Sequence, residues 1–220
     1  MMRTVRWLAT GLALTVLLPS VGTAQMVGGS GRLFKDSWFW GAKAGTMSFS
    51  TNTTKNAIAP MLGADWVITR TRGALYVAFE QYLFNETAGL TDFQGAPFTI
   101  NIRDMRRFSV AALAFPKSFG TLRPYAGVGL SLNLIQSARA ADPFDNASQE
   151  FQIRDQIEEL KDRAAASLLG GLQGQFRRWT VFGQATVMPA QSRFFFSERA
   201  TFIFEGGIRY NVGSSIERPQ

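Results

Sequence analysis

Six ionisable residues, Lys43, Asp65, Glu80, Arg107, Glu205 and Arg209, stand where this chain would do chemistry if it did any. Each lies in a stretch that alternates apolar with polar residues, and each is on the polar side of the alternation. Three are cations and three are anions. Such a set suits mutual ion pairing in a confined space, because an isolated ion in low dielectric costs several kcal/mol. Catalysis asks for other residue types. The 220 residues contain no Cys and no His, which excludes Cys- and His-based metal sites, disulfides, and Ser-His or Cys-His nucleophile pairs. Gly127-Val-Gly129 lies inside an alternating stretch and leads into no helix, so it is no phosphate loop. Carboxylate-only or Ser-Lys chemistry is all that remains formally open. The expectation is a non-enzyme with no catalytic residue, no cofactor and no metal.

The elements that position these six are strands. In Thr201–Val212 one face is Phe202, Phe204, Gly206, Ile208, Tyr210 and Val212, and the other is Thr201, Ile203, Glu205, Gly207, Arg209 and Asn211. Successive side chains of a strand point to opposite sides, and the length fits the roughly 9–11 residues of a tilted transmembrane strand. An apolar face toward lipid and a charged face turned inward is the logic of an outer-membrane barrel. Seven further strands are expected at about 37–49, 59–70, 74–84, 103–115, 124–134, 167–176 and 179–188. Their outward faces hold Trp38, Trp40, Ala42 and Ala44; Leu62, Ala64, Trp66 and Ile68; Leu75, Val77, Phe79 and Leu83; Phe108, Val110, Ala112 and Ala114; Ala126, Val128, Leu130, Leu132 and Leu134; Leu168, Leu172 and Phe176; and Trp179, Val181, Ala185 and Val187. Gln81 falls on the lipid side as a misfit. The fourth strand alternates least cleanly, and 85–101 reads as a longer loop containing Gly and Pro.

Only Gln149–Ala166 has helical period, with Ile153, Ile157, Leu160 and Ala164 recurring at intervals of four, three and four; Asp145 or Ser148 could cap its start. The fold class expected is therefore all-β: an eight-stranded antiparallel transmembrane up-and-down β-barrel, with one short helix in the third external loop. Connections after strands one, three, five and seven are expected long, and those after two, four and six short, as in outer-membrane barrels. Both chain ends then lie in the periplasm. Trp38, Trp40, Trp66, Phe176, Trp179 and Tyr210 fall near the periplasmic ends of their strands, as a periplasmic aromatic girdle would.

At the amino terminus Arg3 and Arg6 precede an apolar run from Trp7 to about Leu18, followed by Gly22-Thr23-Ala24. This is the pattern of a signal peptide, residues 1–24, and the run is shorter than the roughly 20 apolar residues of a membrane span. Residues 25–36 read as a periplasmic leader, 37–212 as the barrel and 213–220 as a periplasmic C-terminal extension. The whole chain has 23 Lys plus Arg against 16 Asp plus Glu. Without Arg3 and Arg6 the count is 21 against 16, a net charge of +5. No Lys/Arg run of five or more occurs, so nucleic acid is not an expected partner; outer-membrane lipid and lipopolysaccharide are. A mean hydropathy near zero is too polar for a bundle of membrane helices and suits a barrel, which hides its apolar content in alternation.

Pro124-Tyr125-Ala-Gly127-Val-Gly129 and Gly206-Gly207-Ile208-Arg209-Tyr210-Asn211 resemble strands of the small OmpA/OmpW-like outer-membrane barrels. The resemblance implies insertion by the barrel-insertion machinery, which reads an aromatic residue closing the last strand. Here Gly213–Gln220 continues past Tyr210, leaving Tyr210 to serve internally. Barrel enzymes of the outer membrane, such as acyltransferases, lipid A deacylases and omptin-type proteases, lean on a histidine that this chain lacks. The expected function is an envelope scaffold or surface-loop presenter, monomeric, with its lumen filled by side chains. The competing expectations are an OmpW-like passive channel for small hydrophobic molecules, adhesion through the external loops, and a soluble lipocalin-type barrel with its apolar faces turned inward.

Overall fold

Strands with one apolar and one charged face leave no free edge only if the sheet closes on itself, and this one does. In a computed structural model, which describes residues 34–92, 94–190, 194–196 and 199–214, the chain forms β1 (Ser37–Phe49), β2 (Ala57–Thr69), β3 (Gly73–Thr91), β4 (Pro97–Ala114), β5 (Leu122–Ala140), α1 (Ala147–Leu160), β6 (Asp162–Phe176), β7 (Trp179–Met188) and β8 (Thr201–Ser214). Every strand pairs antiparallel with its neighbours in sequence. The ring is closed by β1 on β8, with Gly41 opposite Arg209 and Gly45 opposite Glu205. It is an eight-stranded up-and-down barrel with one helix, in the connection after β5. The signal peptide expected over 1–24, most of the leader and the last six residues lie outside the described residues.

The apolar side chains face outward. Leu62, Phe79, Phe108, Leu130, Leu168, Val181, Phe204 and Ile208 are all exposed on the outer wall, while Lys43, Asp65, Glu80, Arg107, Glu205 and Arg209 are buried inside. A water-soluble barrel has the opposite orientation, which removes the lipocalin-type alternative. Connections 70–72, 115–121 and 177–178 lie at one end with the described chain ends. Connections 50–56, 92–96, 141–161 and 189–200 lie at the other. These are the short-turn end and the long-loop end below, although the connection after β3, expected long, is shorter at 92–96 than the one after β4 at 115–121.

Three expectations need correction. The stretch 85–101 is not a long loop: β3 continues to Thr91 and β4 starts at Pro97, so only 92–96 turns. The cause is an irregularity between Tyr82 and Asn85, opposite Asp104, whose φ is positive at 51°. Asp104 Oδ1 accepts the backbone N–H of Phe84 at 3.1 Å. Across this point the buried positions of β4 switch from odd (Met105, Arg107, Ser109) to even (Phe98, Ile100, Ile102), which is why its alternation is broken. The helix ends at Leu160, and Ala164 belongs to β6 on the exposed wall. Its cap is neither Asp145 nor Ser148 but Asn146, whose side chain accepts from the Gln149 N–H at 2.9 Å, while Gln149 reaches back to the Asp145 N–H.

Candidate functional site

The interior is built in three layers along the barrel axis. The middle one holds the six ionisable side chains. Lys43, from β1, donates to Glu80 Oε1 on β3 at 2.5 Å, to Glu205 Oε2 on β8 at 3.0 Å and to the Tyr76 hydroxyl at 2.6 Å. Arg107, the cross-strand partner of Glu80 on β4, binds the other oxygen of Glu80 through Nε. Arg209 reaches from β8 across β1 to Asp65 on β2, with Nε at 3.0 and 3.1 Å from the two carboxylate oxygens and Nη2 at 2.8 Å from Oδ2. That crossing needs space over β1, and Gly41 provides it: a Cβ there would lie 2.4 Å from Asp65 Oδ1 and 2.7 Å from Arg209 Cγ.

Neutral residues complete the layer. Gln184 donates to Glu205 Oε1 at 2.7 Å and accepts from the Tyr125 hydroxyl at 2.9 Å. Gln173 accepts from Arg209 Nη1 at 3.1 Å, and the Arg209 guanidinium stacks over the Phe182 ring at 3.6 Å. Three cations thus face three anions, each ion with an opposite charge in contact. Buried ions placed this way lock the geometry rather than offer reactivity. Among the described residues no group of three or more Asp or Glu side chains is arranged to hold a metal ion.

The layers on either side are apolar. Toward the short-turn end Phe34, Phe39, Val67, Leu113, Phe115 and Leu169 pack together. Toward the long-loop end lies a larger cluster that includes Met47, Phe49, Met61, Phe84, Ile100, Ile102, Met105 and Ile203. Ile153 and Ile157 of α1 and the run Phe194-Phe195-Phe196 close it from above, with Phe49 and Phe196 ring centroids 4.3 Å apart. This plug was missed in the sequence, although its signal is there: the lumen-side positions Met47, Phe49 and Ile203 continue the same faces as Lys43 and Glu205. Between Asn133, Met188 and Phe196 remains a void of about 10 Å³. That is room for about one water molecule, and both side-chain polar atoms of Asn133 lack a protein partner.

The six aromatic residues expected as a girdle lie on the outer wall. Cross-strand partners link Trp66 to Trp40, Trp40 to Tyr210, Tyr210 to Trp179 and Trp179 to Phe176. The band therefore runs unbroken over β2, β1, β8, β7 and β6, with Trp38 edge-on to Trp66 at 5.6 Å. It does not extend over β3, β4 and β5.

No protein-family model matches the chain, and no curated protein matches it. Solved structures do. Neisserial surface protein A (NspA) aligns over 79% of this chain and 96% of its own at 11% identity, with a TM-score of 0.53. The chain shares the fold of small eight-stranded outer-membrane barrels. Ail, the attachment invasion locus protein of Yersinia pestis, aligns over 80% of this chain and 99% of its own at 10% identity, TM-score 0.44. A second Ail structure, in complex with the heparin analogue sucrose octasulfate, covers 79% and 99% at 10% identity, TM-score 0.43.

Proposed function

We propose that this protein is a non-enzymatic outer-membrane barrel with a closed lumen, an envelope scaffold that holds up ordered surface loops. The observation carrying this is the filled interior, with a neutral ionic layer held between two apolar ones. Eight strands leave an interior just wide enough for side chains, and here the side chains occupy it. A passive route for small hydrophobic molecules would need a way through the paired charges, and none of these layers supports one.

On this reading the chain is exported by its signal peptide, the short-turn end faces the periplasm and the long loops face outward. The loops are tied down: Thr51 and Thr53 hydroxyls each donate to the Thr87 carbonyl at 2.7 Å, and the Asn52 amide brackets Gly89 at 2.7 and 2.8 Å. Preorganised loops favour presentation to a partner, since less ordering is left for binding to supply. Arg103 and Arg106 are exposed on β4 beyond the Phe79–Phe108 rung, at the height where lipopolysaccharide phosphates would lie. Tyr210 would serve the insertion machinery, and the barrel would work as a monomer.

The test is conductance. Purified protein in a planar bilayer should give no single-channel steps, while fractionating with the outer membrane and migrating heat-modifiably on gels. Reproducible steps from the folded form would replace the scaffold reading with the transport one.

A further inference from the structure

At the short-turn end a cavity of about 520 Å³ opens between the 70–72 turn and the 115–121 connection. Its lining includes Lys35, Arg72, Lys117 and Arg123, the hydroxyl residues Thr71 and Ser118, and no acidic residue. Among the described residues none of the four cations forms an ion pair. This contrasts with the lumen a few residues deeper, where every charge is matched.

Arg123 is the centre of the cavity. Its guanidinium lies over the Phe34 ring at 4.1 Å, a contact that fixes the plane of the fork. Its Nε is buried and has no hydrogen-bond partner, a state that costs free energy until an acceptor arrives. Phe34 and Phe115, ring centroids 4.8 Å apart, are both buried and belong to the apolar layer that closes the lumen. The cavity is therefore a cup with a floor and not the mouth of a channel.

We propose that this cup binds a phosphate ester. Four unpaired cations around one space repel each other, and an anion of two or more charges relieves that repulsion most. Arginine's planar fork matches phosphate oxygens bidentately, and hydroxyls supply further donors. The volume lies within the roughly 300–1,000 Å³ of small-molecule sites and exceeds what a bare ion needs. The phosphate belongs either to a soluble ester or to a lipid headgroup. The cup itself follows from the barrel's geometry; only the lipid source depends on membrane placement.

Two measurements on the full chain folded in maltoside micelles separate the sources: calorimetric titration with glycerol 3-phosphate, a soluble phosphate monoester, and retention of phosphatidic acid, a lipid with a monoester headgroup, in native mass spectrometry. Binding in the first assigns a soluble ester, and binding in the second a headgroup. Arg123→Gln, and separately the pair Arg72→Gln with Lys117→Gln, are expected to weaken the binding at least tenfold. Arg154→Gln, on α1 at the opposite end, should leave it unchanged. Heat-modifiable mobility checks that each variant keeps a closed barrel. No binding in either measurement, binding that survives both sets of changes, or equal loss in Arg154→Gln overturns the site.

Discussion

Replacing Glu80 by Gln tests the charge balance of the lumen directly. Glu80 holds Lys43 with one oxygen and Arg107 with the other, and its side chain is wholly buried. Glutamine keeps the shape and can still accept a hydrogen bond, so the change removes charge and little else. The layer goes from three cations against three anions to three against two. Breaking a buried pair and leaving an uncompensated ion costs about 3–5 kcal/mol, or about a hundred- to several-thousand-fold in the folding equilibrium. The loss should appear as a lower urea midpoint for unfolding from phospholipid vesicles, read by gel mobility. Adding Lys43→Met restores equality, two against two, and should recover at least ~1.5 kcal/mol relative to additivity, within the range that double-mutant cycles find for residues in contact. A midpoint for E80Q within ~0.5 kcal/mol of the parent, the range of ordinary surface changes, would refute the reasoning. So would a double variant that is simply additive.

Other outcomes follow from particular contacts. Gly41→Val should separate Arg209 from Asp65, because the new Cβ falls on both side chains; overpacking of this kind costs about 1–3 kcal/mol, and an unchanged urea midpoint would count against the crossing over β1. Bromines placed near the headgroups of the lipid should quench tryptophan fluorescence more than bromines at the chain ends, since Trp38, Trp40, Trp66 and Trp179 share one edge of the wall; stronger quenching from the bilayer centre would displace the girdle. Asp92, at the β3–β4 turn, has its carboxyl held below the ordinary aspartate range by the Ala96 N–H at 2.8 Å, with further help from Gln149. A folded-state pKa below the unfolded one means that this stabilisation is complete above the unfolded value, near 4, and is lost as pH falls through the lower folded value. Hydrogen exchange in 92–96 should therefore be flat from pH 5 to 8 once corrected for intrinsic rates, and accelerate only in acid; loss of protection near neutrality would contradict it.

Parity carried most of the fold. Once Phe202, Phe204 and Ile208 were placed against lipid, period two put Glu205 and Arg209 inside, and the same rule placed Lys43, Asp65, Glu80 and Arg107. Gln81, a misfit by that rule, does face outward, where it accepts from Arg106 Nε at 3.1 Å. Its cross-strand partner is Arg106 itself, one rung above the Phe79–Phe108 pair. Gln81 and Arg106 thus form a polar rung within the upper part of the apolar belt, with the exposed Leu83 beyond it on β3. What parity could not reach was the three-dimensional crossing of Arg209 over Gly41, since that depends on barrel curvature. Nor could it identify Asn146 as the cap, because Asp145, Asn146 and Ser148 are all competent cap residues.

The missed length of β3 and β4 has a more general cause. Below Asp104 the wall is apolar outside and polar inside. Above it Phe98, Ile100 and Ile102 point inward, while Asn101 and Arg103 are exposed. Phe98-Thr-Ile-Asn-Ile102 is thus a strand written for water, continuing one written for hydrocarbon. A search for lipid-facing alternation ends where the phase inverts, and takes the remainder for a loop. Both halves obey one rule, that apolar side chains leave whichever surface meets water, so the inversion locates the change of solvent along the strand. The irregularity opposite Asp104 is what lets a single hydrogen-bonded pair of strands serve both. The same inversion explains the plug: above the belt the barrel needs an ordinary hydrophobic core, and α1 with Phe194–Phe196 supplies its lid.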